Sequence, residues 1–403
     1  MSVLEKFLDY IKYDTQSDES TGTVPSTAKQ KVLAEHLVEE MKKIGIADAH
    51  MSEWGYVYGT IPATAERAQT VGFIAHMDTA TDFSGTGVNP RVIENYDGGD
   101  IVLNEELGIV TSVKDFPHLP TKKGKTLIVT DGTTLLGADD KAGVAEILQA
   151  AEEIIQSGEP HGTVKIAFTP DEEIGAGTVK FDVPHFGADF AYTVDGGAVN
   201  EIEYECFNGA SAQVNVKGLS VHPGGAKDKM INASRVAMEF NALLPQREVP
   251  ENTSGYEGFW HLLGMQSSIE NADLVYILRD HDSAKLEARK DAFRRAAQYI
   301  NDAYGRELVT VEIKDSYRNM REMLEPHPEI LEIAREAICE NGLTPTSSAI
   351  RGGTDGANLS YMGLPCPNLG TGGNNAHGKY EFAVLEDMET MVQIIKSIIK
   401  LVK

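Results

Sequence analysis

Val71-Gly72-Phe73-Ile74-Ala75-His76-Met77-Asp78 is an apolar run that stops abruptly at two polar residues. A short run of this kind suits a strand buried on both faces, in a sheet covered by helices. In open α/β sheets, the carboxyl ends of strands are where sites are built. His76 and Asp78 are separated by one residue, so on an extended chain they point to the same side. The device recurs twice. The apolar run at 164–170 leads into Asp171-Glu172-Glu173-Ile174-Gly175, and the run at 190–194 leads into Asp195-Gly196-Gly197. Residues 127–131 read as another strand. A helix follows at about 140–156, with Val144, Ile147, Leu148, Ala151 and Ile155 at spacings of three and four and Gly158 closing it. This alternation predicts an α/β fold, with a mixed, mostly parallel sheet flanked by helices.

Outward from that centre, Val3, Leu4, Phe7, Leu8 and Ile11 predict a first amphipathic helix. Residues 27–44 predict a second, closed by Gly45 as a glycine just past a helix end should. Residues 51–61 read as a hairpin. The stretch 79–126 is rich in Gly, Asp and Pro, with short β-like pieces at 91–93 and 108–110 but no organising period. From about Phe207 the pattern changes. Strands at 212–216, 274–278 and 308–314 alternate with helices at 232–244 and 283–304, which suggests an inserted α+β domain over 207–317. Helices at 329–340 and 385–401 return to the α/β pattern, so 1–206 and 318–403 form one discontinuous domain.

Composition bounds the function. A chain of 403 residues is too long for one ordinary core. Its 61 acidic against 36 basic residues give a formal charge of −25, which argues against nucleic acid or an anionic membrane as partner. No apolar run approaches the roughly 18 residues of a membrane span, and residues 1–13 lack a signal-peptide core. Cys206, Cys339 and Cys366 are few and have no metal-ligand spacing, as in a reducing compartment. A cytoplasmic protein is expected.

Leu135-Leu136-Gly137-Ala138-Asp139-Asp140-Lys141-Ala142-Gly143 places two adjacent carboxylates at the mouth of a helix. Aspartate is a favoured N-cap and suits the helix dipole, but both cannot be caps. The candidate ligands are His76, Asp139, Glu172 or Glu173, Asp195 and His377, the last in Asn374-Asn375-Ala376-His377-Gly378. Each has a plain explanation by itself: a core histidine, acids in a first helical turn, an Asp-Gly turn, a solvated loop. Together they are five clusters of ligand type at strand ends or in glycine-rich loops. Two histidines and at least three carboxylates suit zinc, manganese or cobalt. The set is too large for one tetrahedral zinc and right for two that share a carboxylate. Two metals roughly 3.5–4 Å apart are a known arrangement for amide and phosphate hydrolysis. Glu172 and Glu173 could then divide the labour between base and ligand.

In their order along the whole chain, these motifs resemble the M20 metallopeptidase family. Thr169-Pro170-Asp171-Glu172-Glu173-Ile174-Gly175, Ser220-Val221-His222-Pro223-Gly224, Arg351-Gly352-Gly353-Thr354-Asp355-Gly356 and the long interval from Asp78 to Asp139 resemble its tripeptide-cleaving branch. The resemblance implies a zinc-peptidase-like fold in which Asp139 bridges two Zn²⁺, with Mn²⁺ or Co²⁺ also suitable. Glu173 and His377 would complete one metal, and His76 and Asp195 the other. Glu172 would be the general base for a water bridging the metals, and Asp78 would orient His76 through its other ring nitrogen. The inserted domain would be a lid through which the protein forms a homodimer, its His222 reaching the scissile carbonyl. Arg279 and Arg351 are nominated to hold a substrate carboxylate, the alternative for each being a structural ion pair. The expected activity is removal of the N-terminal residue from tripeptides. Within the family the alternatives are a dipeptidase, a carboxypeptidase or an N-acyl amino-acid deacylase. Outside it they are a metal-dependent phosphoesterase, though no phosphate-cradling loop is present, or a non-catalytic cation-binding protein.

Overall fold

The run at 71–78 becomes the strand Val71–His76, the middle strand of a seven-stranded sheet, in a computed structural model that describes all 403 residues. Val164–Thr169 and Phe190–Gly196 flank it in parallel, and Asn368–Gly370 runs parallel to the latter. The rims are antiparallel: Val57–Ile61 and His50–Met51 on one side, Ile202–Glu203 on the other. The sheet is therefore mixed, with a parallel centre.

Alternation along the central strands divides two cores, as a doubly covered sheet requires. Val71, Phe73 and Ala75, with Ile166, Phe168, Tyr192 and Val194, pack into the large core. The helices Val3–Tyr10, Gln30–Ile44, Ala138–Ser157, Pro328–Glu340 and Leu385–Leu401 supply its other side. Ile74, Ala167 and Ala191 point the other way, into a cluster with Tyr56, Tyr58, Phe181, Phe186 and Leu359. Gly72 lies on that second face, where a Cβ would come within 2.6 Å of the Phe186 ring. Each large apolar side chain buried here contributes about 1.5–3 kcal/mol. That burial fixes the register, because a one-residue slip would exchange the two faces.

The expected strand at 127–131 is Leu127–Val129, and it lies outside the main sheet. It joins Arg91–Ile93, Phe382–Val384 and Gly373–Asn374 in a separate antiparallel sheet. The stretch 79–126, without period in sequence, gains order from this sheet. Tyr96, Ile101, Leu103 and Leu119 pack on Leu127, Val129, Phe382 and Val384, and Ile101–Asn104 pairs with Ile109–Thr111.

The chain divides into two compact units. The one just described comprises Met1–Tyr204, Glu322–Ser348 and Thr354–Lys403, and the second comprises Glu205–Arg321 with Ala349–Gly353. Arg351, read from sequence with the α/β part, thus belongs to the second unit. That unit is a four-stranded antiparallel sheet in the order Phe259–Ser267, Asn271–Asp280, Asn208–Lys217, Val309–Tyr317. The helices Ala233–Leu243 and Ser283–Tyr304 pack on it through Val236, Phe240, Leu286, Phe293 and Ile300. Only three of its strands were expected. Phe259–Ser267 is an edge strand with a register shift between Leu262 and Gly264, and its exposed second half carries no alternation. No helix of either unit is long and apolar enough to cross a membrane.

Candidate metal centre

Three neighbouring parallel strands end where the candidate ligands begin. His76 closes Val71–His76, Glu172 and Glu173 follow Val164–Thr169 after two residues, and Asp195 is the last residue but one of Phe190–Gly196. Asp139 arrives at the head of the helix Ala138–Ser157, and His377 in the loop between Gly373–Asn374 and Phe382–Val384.

These residues form two groups of three. His76, Asp139 and Asp195 make one, and Asp139, Glu173 and His377 make the other, with ligand atoms in each group within 4.8 Å of one another. Asp139 is common to both, and its two oxygens face different partners. Oδ1 lies 2.9 Å from Nε2 of His76, and Oδ2 lies 3.3 Å from Nε2 of His377. Asp195 Oδ1 is 3.4 Å from the same His76 nitrogen, and Glu173 Oε2 is 3.0 Å from the same His377 nitrogen.

The donors are imidazole nitrogens and carboxylate oxygens without sulfur, which suits zinc, manganese or cobalt. Glu173 Oε1 is buried and has no hydrogen-bond partner, so the protein leaves a free donor atom inside the second group. Both observations fit a pair of divalent cations.

Electrostatics agree. Burial pushes the Asp195 carboxyl up to about 6 against the pull of His76, and pushes Glu173 up to about 7 against its bond to His377. Burial, then the charge of Asp195, raises Glu172 well above the carboxylate range. Asp139 goes the other way. Burial opposes ionisation there too, but the hydrogen bonds from His377 and His76 hold its carboxyl below the ordinary range. Bonds to Asp139 and Glu173 raise His377 to about 11. Cations in the centre would serve the carboxylates in the way the histidine protons do here.

The supports are as specific as the donors. His76 Nδ1 lies 3.1 Å from the Asp78 carbonyl and 3.4 Å from its carboxylate. Asp78 is also a clamp on the next loop: its Oδ1 accepts the Glu172 N–H at 3.0 Å and its Oδ2 the Glu173 N–H at 3.2 Å, with Ser17 donating to Oδ2 as well. Asp171, at φ 60°, holds the same loop through Ser26 and Gln30. His377 itself has φ 65° and Asn375 φ 56°. Side chains other than glycine rarely adopt this region, and ligand loops are where such conformations collect.

Asp140 and Glu381 complete the loop at 135–140. Asp140 has non-helical φ and ψ, and its Oδ1 accepts the Gly143 N–H at 3.2 Å, the geometry of an N-cap. Its Oδ2 accepts the His76 backbone N–H at 3.1 Å, tying the helix head to the strand end. Glu381 was not among the sequence candidates. Its carboxylate accepts N–H groups from Leu136, Gly137 and Asp139 at 2.7, 2.7 and 3.0 Å, holding the turn that Gly137 makes at φ 83°. Burial outweighs those three donors and pushes Glu381 up to about 7.

The remaining candidates lie in the second unit. His222 is exposed, and its Nδ1 accepts the Gly224 N–H at 3.1 Å, so the neutral ring carries its proton on Nε2. Arg279 lies over the Tyr317 ring at 5.0 Å, with Nη1 donating to the carbonyls of Ala210 and Leu278. Arg351 is more fully engaged. Its Nη1 donates to Gly255 and Glu257, its Nη2 to Thr253, and its guanidinium lies 5.0 Å from the Phe207 ring and 5.6 Å from the Phe259 ring.

Comparison with known proteins identifies the family. The profile of peptidase family M20/M25/M40 matches residues 128–401. Peptidase T of Geobacillus sp. (strain WCH70) is 54% identical over 401 residues, covering 99% of this chain and 98% of that protein. The chain belongs to peptidase family M20/M25/M40. Two solved structures share the fold of this M20 chain. Aminopeptidase PepT from Bacillus cereus ATCC 10987 superposes with a TM-score of 0.78 at 22% identity, over 99% of this chain and 97% of that one. A tripeptidase from Staphylococcus aureus gives 0.79 at 20% identity with the same coverage.

Proposed function

We propose that the chain removes the N-terminal residue from tripeptides, using two divalent cations held by His76, Asp139 and Asp195 and by Asp139, Glu173 and His377. The observation that carries this reading is Asp139, whose two oxygens face different histidines. Tripeptides are the substrate class because the chain is similar to peptidase T along the full length and shares its fold with a tripeptidase. Zinc is the ion we favour, since a nitrogen-and-oxygen donor set with open positions is typical of hydrolytic zinc.

When bound, such ions polarise the peptide carbonyl and make water acidic enough to attack near neutral pH. Glu172 is the base that takes the proton from the attacking water and passes it to the leaving nitrogen. Its carboxylate has no hydrogen bond within the protein, and the Asp78 clamp on its N–H holds the backbone that carries it. Asp78 positions both His76 and Glu172. His222, with its proton on Nε2, donates to the oxyanion as it forms. Arg279 receives the substrate's C-terminal carboxylate, and Arg351 shapes the loop 253–257 that its guanidinium already grips. The second unit serves as lid and as the surface of a homodimer, and the enzyme works in the cytoplasm.

A panel of di-, tri- and tetrapeptides with free or blocked termini tests the assignment. Tripeptides with a free N-terminus should be cleaved best. A preference for dipeptides, for N-acylated amino acids or for release of the C-terminal residue would replace it with the corresponding alternative.

A further inference from the structure

Away from the metal centre, two more histidines meet across the rim of the main sheet. His50 opens the edge strand His50–Met51, and His185 lies in the short helix Val183–Phe186, 135 positions later. Their Nε2 atoms are 3.1 Å apart, and both side chains are exposed.

The tautomer of His50 is fixed by its other nitrogen. Nδ1 lies 2.8 Å from the Asp48 carbonyl, which can only accept, so Nδ1 carries the proton and neutral His50 presents a lone pair on Nε2. A backbone carbonyl on the far nitrogen is the usual support of a metal-ligating imidazole. Both rings are also held in place. The His185 ring stands edge-on to Tyr58 at 5.2 Å and the His50 ring lies 5.9 Å from the same tyrosine, which pairs with His50 across the strands. The Tyr58 hydroxyl accepts the Asp182 N–H, and the Asp182 carboxylate caps the His185 N–H.

We propose that His50 and His185 form a surface site for one divalent transition-metal ion of the zinc, nickel or copper class, separate from the dinuclear centre. An ion at the ordinary metal–imidazole distance of about 2.05 Å from both nitrogens would subtend about 98° at this spacing. That lies between the roughly 90° of octahedral or square-planar sites and the roughly 109° of tetrahedral ones. Water completes the coordination on the open side. Bound there, the ion staples the rim strand to the helix after Asp182 and stabilises the fold by mass action. In its absence, His185 Nε2–H can donate a hydrogen bond to His50.

The test is zinc counting by equilibrium dialysis and mass spectrometry on the untagged, zinc-loaded enzyme, beside His50→Gln and His185→Gln. Tripeptide hydrolysis serves as the folding control, because neither residue touches the centre. The native protein should bind one equivalent more than either variant as free zinc rises. Each variant should weaken that binding by roughly tenfold or more, the scale on which even outer-sphere partners of a metal matter. Zinc added beyond the centre's saturation should raise the melting temperature of the native protein alone. Equal stoichiometry in all three proteins overturns the proposal and leaves a plain hydrogen bond between the rings. Because the readout is a difference between native protein and variants, it does not depend on how many ions the dinuclear centre holds.

Discussion

The two halves of the centre share Asp139 but are built on different supports. The His76 half stands on the central strand of the sheet. His76 is 2% exposed, its ring faces Asp78, and its N–H is held by Asp140. The His377 half stands on a loop. His377 is 48% exposed, and its backbone adopts a left-handed conformation. One half is thus fixed by the same burial that makes the sheet, whereas the other joins the buried Glu173 to a histidine on an exposed loop. An ion held by the buried half should exchange more slowly than one held by the loop.

The largest effect expected is at the residue that belongs to both halves. Asp139→Asn should release both ions and abolish hydrolysis, as read by metal analysis and a tripeptide assay. If one full equivalent stays bound, the halves are independent and Asp139 is not shared. Glu172→Ala comes next, with kcat down by about 10²–10⁴-fold, the usual contribution of a general base. Its metal content should be unchanged. Loss of metal in that variant would exchange the roles of Glu172 and Glu173.

The comparison itself is sharpened by His76→Ala and His377→Ala. Each should lose about one equivalent of metal, but their melting curves in the metal-free state should differ. Removing His76 leaves Asp78 and Asp195 without their buried partner, at a cost of roughly 3–5 kcal/mol. Removing His377 should cost less, because its ring is already half in water, although Glu173 loses its partner there. Equal losses would mean that the two supports do not differ in strength. The smallest effect belongs to Asp140→Asn, which should keep both ions and activity while losing about 1 kcal/mol of stability, because an amide has one acceptor oxygen for the two N–H groups that Asp140 holds. Release of metal there would move the bridging role from Asp139 to Asp140.

How far the centre could be read from sequence follows from the same contrast. His76, Asp78, Glu172, Glu173 and Asp195 stand out because each ends or follows an apolar run, so strand and ligand are visible within ten residues. Asp139 and Asp140 were legible as a pair, and the cap is indeed Asp140. Its second bond, to the His76 N–H 64 positions away, leaves no local trace. Glu381 is the clearest omission. In Lys379-Tyr380-Glu381-Phe382 it looks like any polar residue before a strand, and its three N–H partners lie 242–245 positions away towards the N-terminus. The fold shows the same division. Strands buried on both faces were found, whereas the bulged, half-exposed edge Phe259–Ser267 and the order within 79–126 depend on partners distant in the chain.

The most direct test of the central claim is metal counting on the native protein, paired with tripeptide hydrolysis as a chelator is titrated. Two tightly held equivalents per chain beyond any carried by the His50–His185 site are predicted, with activity lost on chelation and restored on adding metal back. A single equivalent in the centre, or hydrolysis that persists in metal-free protein, would contradict a dinuclear site bridged by Asp139.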